Sequence, residues 1–256
     1  GLGDVYKRQT FMRGLPIVQV PTTLLSMVDS SVGGKTAINL DAGKNLVGTF
    51  CQPRYVCADI DLLNTLPERE WICGCGEIAK SAVIDSREFF EWLNANAQLL
   101  CERNADVVKD AVVKCIAFKA RVVVEDKAET KGVRECLNYG HTLAHAIETA
   151  AGYGVYSHGA CVAQGMRFAA RLGASLVGTP LAFITAQDEL LDVLSLDALE
   201  FKADPEELLR LMMSDKKVRS DSLRFVLPRD FGQWSVETVS PEIVLEHLQA
   251  WQASLV

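Results

Sequence analysis

The sequence predicts an α/β segment followed by an all-helical domain, and three observations carry that prediction. Two short apolar, β-rich runs, Ile17–Val20 and Tyr55–Asp59, flank a stretch dense in glycine and hydroxyl residues. Beyond residue 63 the pattern changes to helical periodicity and stays there almost to the C-terminus. Three of the four histidines, His141, His145 and His158, fall together within that helical part.

The 256 residues are 49% hydrophobic and 23% charged, an ordinary globular composition with enough apolar material for a core. The balance of 26 basic to 33 acidic residues gives a net charge of −7. That argues against nucleic-acid or anionic-membrane partners, while leaving room for a local basic pocket. No apolar run reaches the roughly eighteen residues of a membrane span, and no secretory signal is evident. Eight scattered cysteines show no zinc-ribbon spacing, and Cys73-Gly74-Cys75 is their one close pair. Reduced thiols in a cytoplasmic protein are expected. Residues 1–9 read as the translation of a sequencing adapter joined to the protein at Thr10, so they are set aside and the chain is expected to be a fragment.

Ile17–Val20, stopped by Pro21, reads as a buried strand. The residues after it, Thr22-Thr23 through Asp29-Ser30-Ser31-Val32-Gly33-Gly34-Lys35-Thr36, offer backbone N–H groups, hydroxyls and one cation to an anion. Asp29 stands where a Walker A loop needs its first glycine, so a P-loop is rejected. Gly43-Lys44-Asn45 repeats the theme, and the two together suggest an edge facing a phosphate or dinucleotide. Tyr55–Asp59 reads as a second buried strand with acids at its C-terminal end.

Pro67-Glu68-Arg69-Glu70 starts a helix, and Gly76-Glu77-Ile78-Ala79-Lys80 begins a further helical run. Glu77 and Lys80 would mean nothing as a surface pair, but inside a core they would imply function. Val108, Val112, Cys115, Ile116 and Val123 make a core-facing stripe on a helix over 105–126. A turn around Gly132 leads to Arg134 and the histidine helix, which Gly152 and Gly154 end. A helix over 160–177 closes at Gly178-Thr179-Pro180. Asp204-Pro205-Glu206-Glu207 opens the next one, with Asp215-Lys216-Lys217 just beyond its end. Leu223–Leu227 suits a short strand, and Ser240-Pro241 starts a terminal helix.

A lone histidine is usually a hydrogen-bonded core or surface residue. Three close together, with Glu148 nearby, make a metal site the competing hypothesis. Thr142 occupies the glutamate position of the zincin pattern, so a metalloprotease is not indicated. Periodicity alone nominates His141 and His145, four apart on one helical face, as the ligand pair.

Taken together, several motifs resemble the 3-dehydroquinate synthase family. They are Arg13-Gly14, Gln19-Val20-Pro21-Thr22-Thr23-Leu24-Leu25, Asp29 to Thr36, Gly43-Lys44-Asn45, Gly76 to Lys80, Leu137-Asn138-Tyr139-Gly140-His141-Thr142, His145 to Glu148, His158-Gly159 and Asp215-Lys216-Lys217. They run in the family's order from Thr10 to the C-terminus. The resemblance implies the C-terminal part of an α/β NAD-binding domain over 10–62, then an all-α metal-binding domain over 63–256. It implies conversion of 3-deoxy-D-arabino-heptulosonate 7-phosphate to 3-dehydroquinate and phosphate, with NAD and Zn2+ or Co2+, in a cytoplasmic homodimer of the shikimate pathway.

Carried over residue by residue, the family pattern makes Glu77, His141 and His158 the metal ligands, which overrules the periodicity pair. His145 becomes a proton-transfer group near the phosphate. Thr22, Thr23, Lys35, Lys44 and Leu62-Leu63-Asn64-Thr65 would meet the cofactor. Asp29, Asn45, Lys80 and Asn138 would meet substrate, and Lys119 with Arg134 would clamp its carboxylate. One of Lys216 and Lys217 would reach the phosphate, and Arg13 would serve a neighbouring subunit. Ala160 stands where the family usually has glutamate, which puts the support of His158 in question. The interval from Lys119 to Arg134 is one residue longer than usual. The family's glycine-rich dinucleotide turn is absent, so the isolated chain is expected to bind NAD poorly and to lack turnover. Three readings compete: a related cyclase whose substrate lacks a carboxylate, a non-catalytic metal-binding remnant, and a glycerol or iron-dependent dehydrogenase.

Overall fold

A computed structural model describes residues 15–40, 43–127, 129–197, 199–214 and 222–254; for residues 35–40, 43–47, 49 and 50 it is the backbone that is described. Arg13, Lys216 and Lys217 lie outside the described residues.

The first part holds two small sheets. Strands β1 (Val18–Gln19) and β4 (Tyr55–Val56) pair in parallel, with Val18 opposite Tyr55. Between them in sequence, β2 (Lys35–Leu40) and β3 (Gly43–Phe50) form an antiparallel hairpin, with a register shift between Ile38 and Leu40. The glycine- and hydroxyl-rich stretch expected to present an anion-facing edge is thus strand over Lys35–Leu40 and Gly43–Phe50. The expected burial of β1 and β4 also differs: Val18, Val20 and Tyr55 are all exposed. A parallel pair is buried when layers cover both of its faces, and among the described residues these side chains have no such cover.

Helices dominate from residue 68 onward: α1 (Glu68–Asp85), α2 (Arg87–Cys101), α3 (Ala105–Glu125), α4 (His141–Ala151), α5 (His158–Leu176), α6 (Leu181–Val193), α7 (Pro205–Ser214) and α8 (Pro241–Ala253). The two helical starts expected at Pro67 and Gly76 belong to one helix, α1, because nothing between them breaks the ladder. Capping follows the sequence closely. Ser86, Asn104 and Ser157 each accept a backbone N–H three residues on, starting α2, α3 and α5. The strand expected at Leu223 extends to Asp230 as β5 and pairs with β6 (Gln233–Val239).

The middle of α1 is the axis of this helical part. Its residues from Cys73 to Ile84 are buried around the whole circumference, since α5, α2 and α3 pack on different sides of it. A helix hydrophobic all round is a core helix. Two charged residues in its centre, Glu77 and Lys80, are only 1% and 2% exposed, which burial alone would forbid.

Candidate metal and substrate site

Three helices deliver the metal-binding candidates. Glu77 projects from the centre of α1, His141 is the first residue of α4, and His158 is the first residue of α5. Gly140, at φ 77°, turns the chain into α4, a backbone conformation that disfavours a side chain. Glu77 Oε1 lies 3.5 Å from Nε2 of His141 and 3.5 Å from Nε2 of His158. One ligand atom from each residue lies within 4.8 Å of the others.

The ring orientations suit a cation at the centre. His141 Nδ1 lies 3.0 Å from the Tyr139 carbonyl oxygen, which can only accept, so Nδ1 carries the proton and Nε2 presents its lone pair. His158 Nδ1 lies 3.2 Å from Glu148 Oε1, which turns its Nε2 to the same centre. The buried Glu77 Oε1 accepts no hydrogen bond among the described residues. An orphaned carboxylate oxygen facing two imidazole nitrogens is the donor set of a divalent metal such as Zn2+ or Co2+. These residues fit such an ion.

Electrostatics hold Glu77 and His141 in the states a metal requires and leave His158 with a proton to give up. Burial opposes charge on Glu77, but the Lys80 ammonium, 2.5 Å from Oε2, and the two histidines keep its carboxyl well below the usual range. Burial and the same ammonium push the His141 ring well below its ordinary value, so it is neutral. His158 is displaced the other way, to about 9, because Glu148 and Glu77 outweigh its burial. Lys80 also donates to the Leu137 carbonyl at 2.9 Å, and Glu77 and Asp29 raise its basicity against the opposing effect of burial.

The candidate substrate residues gather nearby. Asp29 sits on a π-helical turn, Ser26–Ser30, that packs against α3. Lys119, buried on α3, reaches Asp29 Oδ1 at 2.7 Å. Burial lowers the basicity of Lys119 more than the Asp29 carboxylate restores it. Arg134 is buried in the 3-10 turn Val133–Asn138. A Cβ on Gly33 would lie 3.5 Å from Arg134 Nη2 and 3.7 Å from Lys119 Cε, so both cations border that glycine. Despite the longer interval, Lys119 and Arg134 therefore meet at one loop. Arg134 Nε is 3.2 Å from Glu129 Oε1, while Nη1 is buried without a hydrogen-bond partner among the described residues. Asn138 ends the same turn, and the His145 ring stands 5.6 Å from His141 and 6.5 Å from His158, centroid to centroid.

The cofactor candidates are more dispersed. Thr22 is exposed, while Thr23 exchanges hydrogen bonds with Ser26. Lys35 lies on β2, and Lys44 and Asn45 on β3. Leu62, Asn64 and Thr65 are exposed on the 3-10 turn Ile60–Thr65. The Leu63 side chain instead belongs to the core, so only its backbone is available to a ligand.

Two residues hold roles here beyond what was expected of them: Glu148, expected only to lie near the histidines, and Asp126. Glu148 had a readable signal, lying seven residues after His141 on the same helical face. Asp126, which caps α3, had none: its buried carboxylate accepts backbone N–H groups from Thr130, Lys131 and Arg134, a tertiary arrangement of one loop.

Comparison with known proteins places this geometry. The family described as 3-dehydroquinate synthase C-terminal matches residues 74–218, and that described as 3-dehydroquinate synthase N-terminal matches residues 4–73. A 3-dehydroquinate synthase of Rhodopirellula baltica is 49% identical over 90% of this chain and 62% of its own length. One of Geotalea uraniireducens is 43% identical over 93% of this chain and 67% of its own length. The chain thus spans about two thirds of the curated relatives it matches. Among solved structures, a 2-deoxy-scyllo-inosose synthase complexed with carbaglucose-6-phosphate, NAD+ and Co2+ superposes with a TM-score of 0.85 at 28% identity, over 95% of this chain and 69% of that one. The 2-epi-5-epi-valiolone synthase ValA of Streptomyces hygroscopicus shares the fold, with a TM-score of 0.87 at 23% identity over 96% of this chain and 69% of that one. The matches over both parts of the chain, together with this level of identity, show that it belongs to the 3-dehydroquinate synthase family.

Proposed function

We propose that this chain carries the metal and substrate machinery of a 3-dehydroquinate synthase, which converts 3-deoxy-D-arabino-heptulosonate 7-phosphate to 3-dehydroquinate and phosphate. The observation that carries the reading is Glu77 Oε1 set 3.5 Å from the Nε2 atoms of both His141 and His158, with Lys80 paired to Glu77 and the buried cations Lys119 and Arg134 together at Gly33.

Glu77, His141 and His158 would hold Zn2+ or Co2+, and three protein ligands leave coordination positions for substrate oxygens. An ion held there would supply polarisation of a substrate hydroxyl, and NAD an acceptor for its hydride. The remaining work belongs to the chain. Lys80 keeps Glu77 ionised and stands beside the metal-binding residues. Arg134 offers a planar fork to the substrate carboxylate, with Lys119 supplying a second positive charge. Asp29, fixed by Lys119, and Asn138 orient substrate hydroxyls, while Asn45 is assigned to substrate from the family pattern. His145, beside both ligand histidines, moves a proton at the phosphate end. Thr22, Thr23, Lys35, Lys44 and the turn Leu62–Thr65 form the cofactor side. Lys216, Lys217 and Arg13 complete the phosphate site by the family pattern, Arg13 from the second subunit of a homodimer. The setting is the cytoplasm. No helix among the described residues is long and apolar enough to cross a membrane.

Buried Arg134 favours this substrate over a sugar phosphate that lacks a carboxylate. Glu129 lies 3.2 Å from its Nε, but its Nη1 is buried without a hydrogen-bond partner among the described residues, an end of the fork that a substrate carboxylate would fill. The test is phosphate release from the heptulosonate phosphate and from sedoheptulose 7-phosphate, with NAD+ and Co2+, by this chain and by a version extended with its upstream coding sequence. Turnover of the first substrate alone is expected, and from the extended version only. Preferential turnover of sedoheptulose 7-phosphate would overturn the assignment.

A further inference from the structure

We infer that Glu148 is a positioning residue for the metal: it aims the His158 ring and strengthens it as a ligand, so that metal affinity depends on a carboxylate that does not itself enter the ligand set. The inference rests on the proposed metal site.

Imidazole has two ring nitrogens, and whatever holds one decides what the other can do. Glu148 Oε1 is 3.2 Å from His158 Nδ1, and His158 Nε2 is then left 3.5 Å from Glu77 Oε1. Glu148 is 8% exposed, so water competes little for this contact. The two ligand histidines are not equivalent. His141 gives its Nδ1 proton to the neutral carbonyl of Tyr139, whereas His158 faces a full negative charge. A carboxylate on the far nitrogen fixes the tautomer and makes the coordinating nitrogen a stronger donor.

The geometry also links the helices. His141 and Glu148 share α4, so one helix supplies a ligand directly and orients a second ligand on α5. Position 160 cannot do this job here. It is alanine, and its N–H is turned to the Ser157 side-chain oxygen that caps α5. Among the described residues, Glu148 is the carboxylate seated on His158 Nδ1.

The experiment measures Co2+ and Zn2+ affinity by chelator competition, and the visible Co2+ spectrum, for the unmodified protein, Glu148→Gln and Glu148→Asp. Gln keeps the size and an acceptor oxygen but removes the charge; Asp keeps the charge but withdraws it by one methylene. Each is expected to lose about ten- to hundredfold in affinity and to shift the Co2+ bands. Thermal melting of the metal-free proteins identifies which variant folds, and the folded one is read. Affinity within twofold of the unmodified protein and an unchanged spectrum would overturn the role of Glu148. Failure of the unmodified protein to bind either metal would instead overturn the metal site on which the inference stands.

Discussion

Gly76 and Gly159 touch backbone to backbone where α1 crosses α5: a Cβ on Gly76 would lie 2.7 Å from the Gly159 Cα, and one on Gly159 would collide with the Cys73 carbonyl oxygen. Each glycine is the sequence neighbour of a candidate metal ligand, Glu77 or His158. A second contact of the same kind joins Gly140, next to His141, to Gly165 on α5, where a Cβ would strike the Gly140 carbonyl. Ligand spacing is thus set by helix separation, and helix separation by missing side chains. Gly159→Ala forces the crossing apart. Overpacking of this kind costs about 1–3 kcal/mol, which a thermal melt reads as a drop of several degrees in Tm. Zn2+ affinity should fall with it, because His158 moves away from Glu77. A lower Tm with unchanged affinity would separate the crossing from the site.

Lys80 and Glu77 form an ion pair with almost no solvent contact. Removing one member leaves the other charged and alone, which costs about 3–5 kcal/mol for buried pairs. Lys80→Met should therefore destabilise the metal-free protein strongly. Added Zn2+ should return part of that loss, since a cation beside Glu77 replaces the missing ammonium. Denaturant titrations with and without Zn2+ measure both effects, and equal destabilisation in the two would refute the exchange.

Much of this site could be read from the residues, and the failures have physical causes. The four-residue spacing of His141 and His145 correctly places both on one helix. It says nothing about which ring meets a partner from another helix, and His158 at the start of α5 meets Glu77 instead. That helix was expected from residue 160, but the Ser157 side chain accepts the Ala160 N–H and starts it at His158. The hairpin of β2 and β3 was missed because glycine and hydroxyl residues suggest loops, although Thr36, Ile38, Val47 and Thr49 are β-branched. The glycine crossings stayed hidden, since a glycine's meaning there lies in what touches it.

Asp126 holds the loop that carries Arg134. Its carboxylate takes backbone N–H bonds from Thr130 at 2.9 Å, Lys131 at 3.1 Å and Arg134 itself at 3.4 Å. Burial opposes the charge, but these donors keep the carboxyl below its usual value. The loop needs the restraint: Glu129 and Gly132 both have positive φ, at 54° and 78°. Asp126→Asn replaces one acceptor oxygen by a donor facing other donors. The guanidinium should then wander, raising KM for the carboxylate substrate on the order of tenfold to a hundredfold, with a smaller change in kcat. Steady-state kinetics on the active protein measure the split. An effect confined to kcat would place Asp126 elsewhere in the mechanism.

Proton release on metal binding should come from His158 alone. In the metal-free protein its folded-state value is about 9, above the ordinary 6.5 of an unfolded chain. A raised value means that the protonated ring stabilises the metal-free fold below about pH 6.5, and that this contribution disappears as pH climbs through about 9. The metal needs the neutral ring, so below about pH 9 each binding event must expel that proton. His141 is already neutral, and Glu77 is already ionised, so neither adds a proton near neutral pH. Apparent Zn2+ affinity should therefore rise about tenfold per pH unit from pH 7 to 8.5 and level off above about 9. Calorimetry in buffers of different ionisation enthalpy counts the protons directly. A count near one at pH 7.5 is expected; a count near zero would mean that Glu148 and Glu77 do not hold His158 protonated.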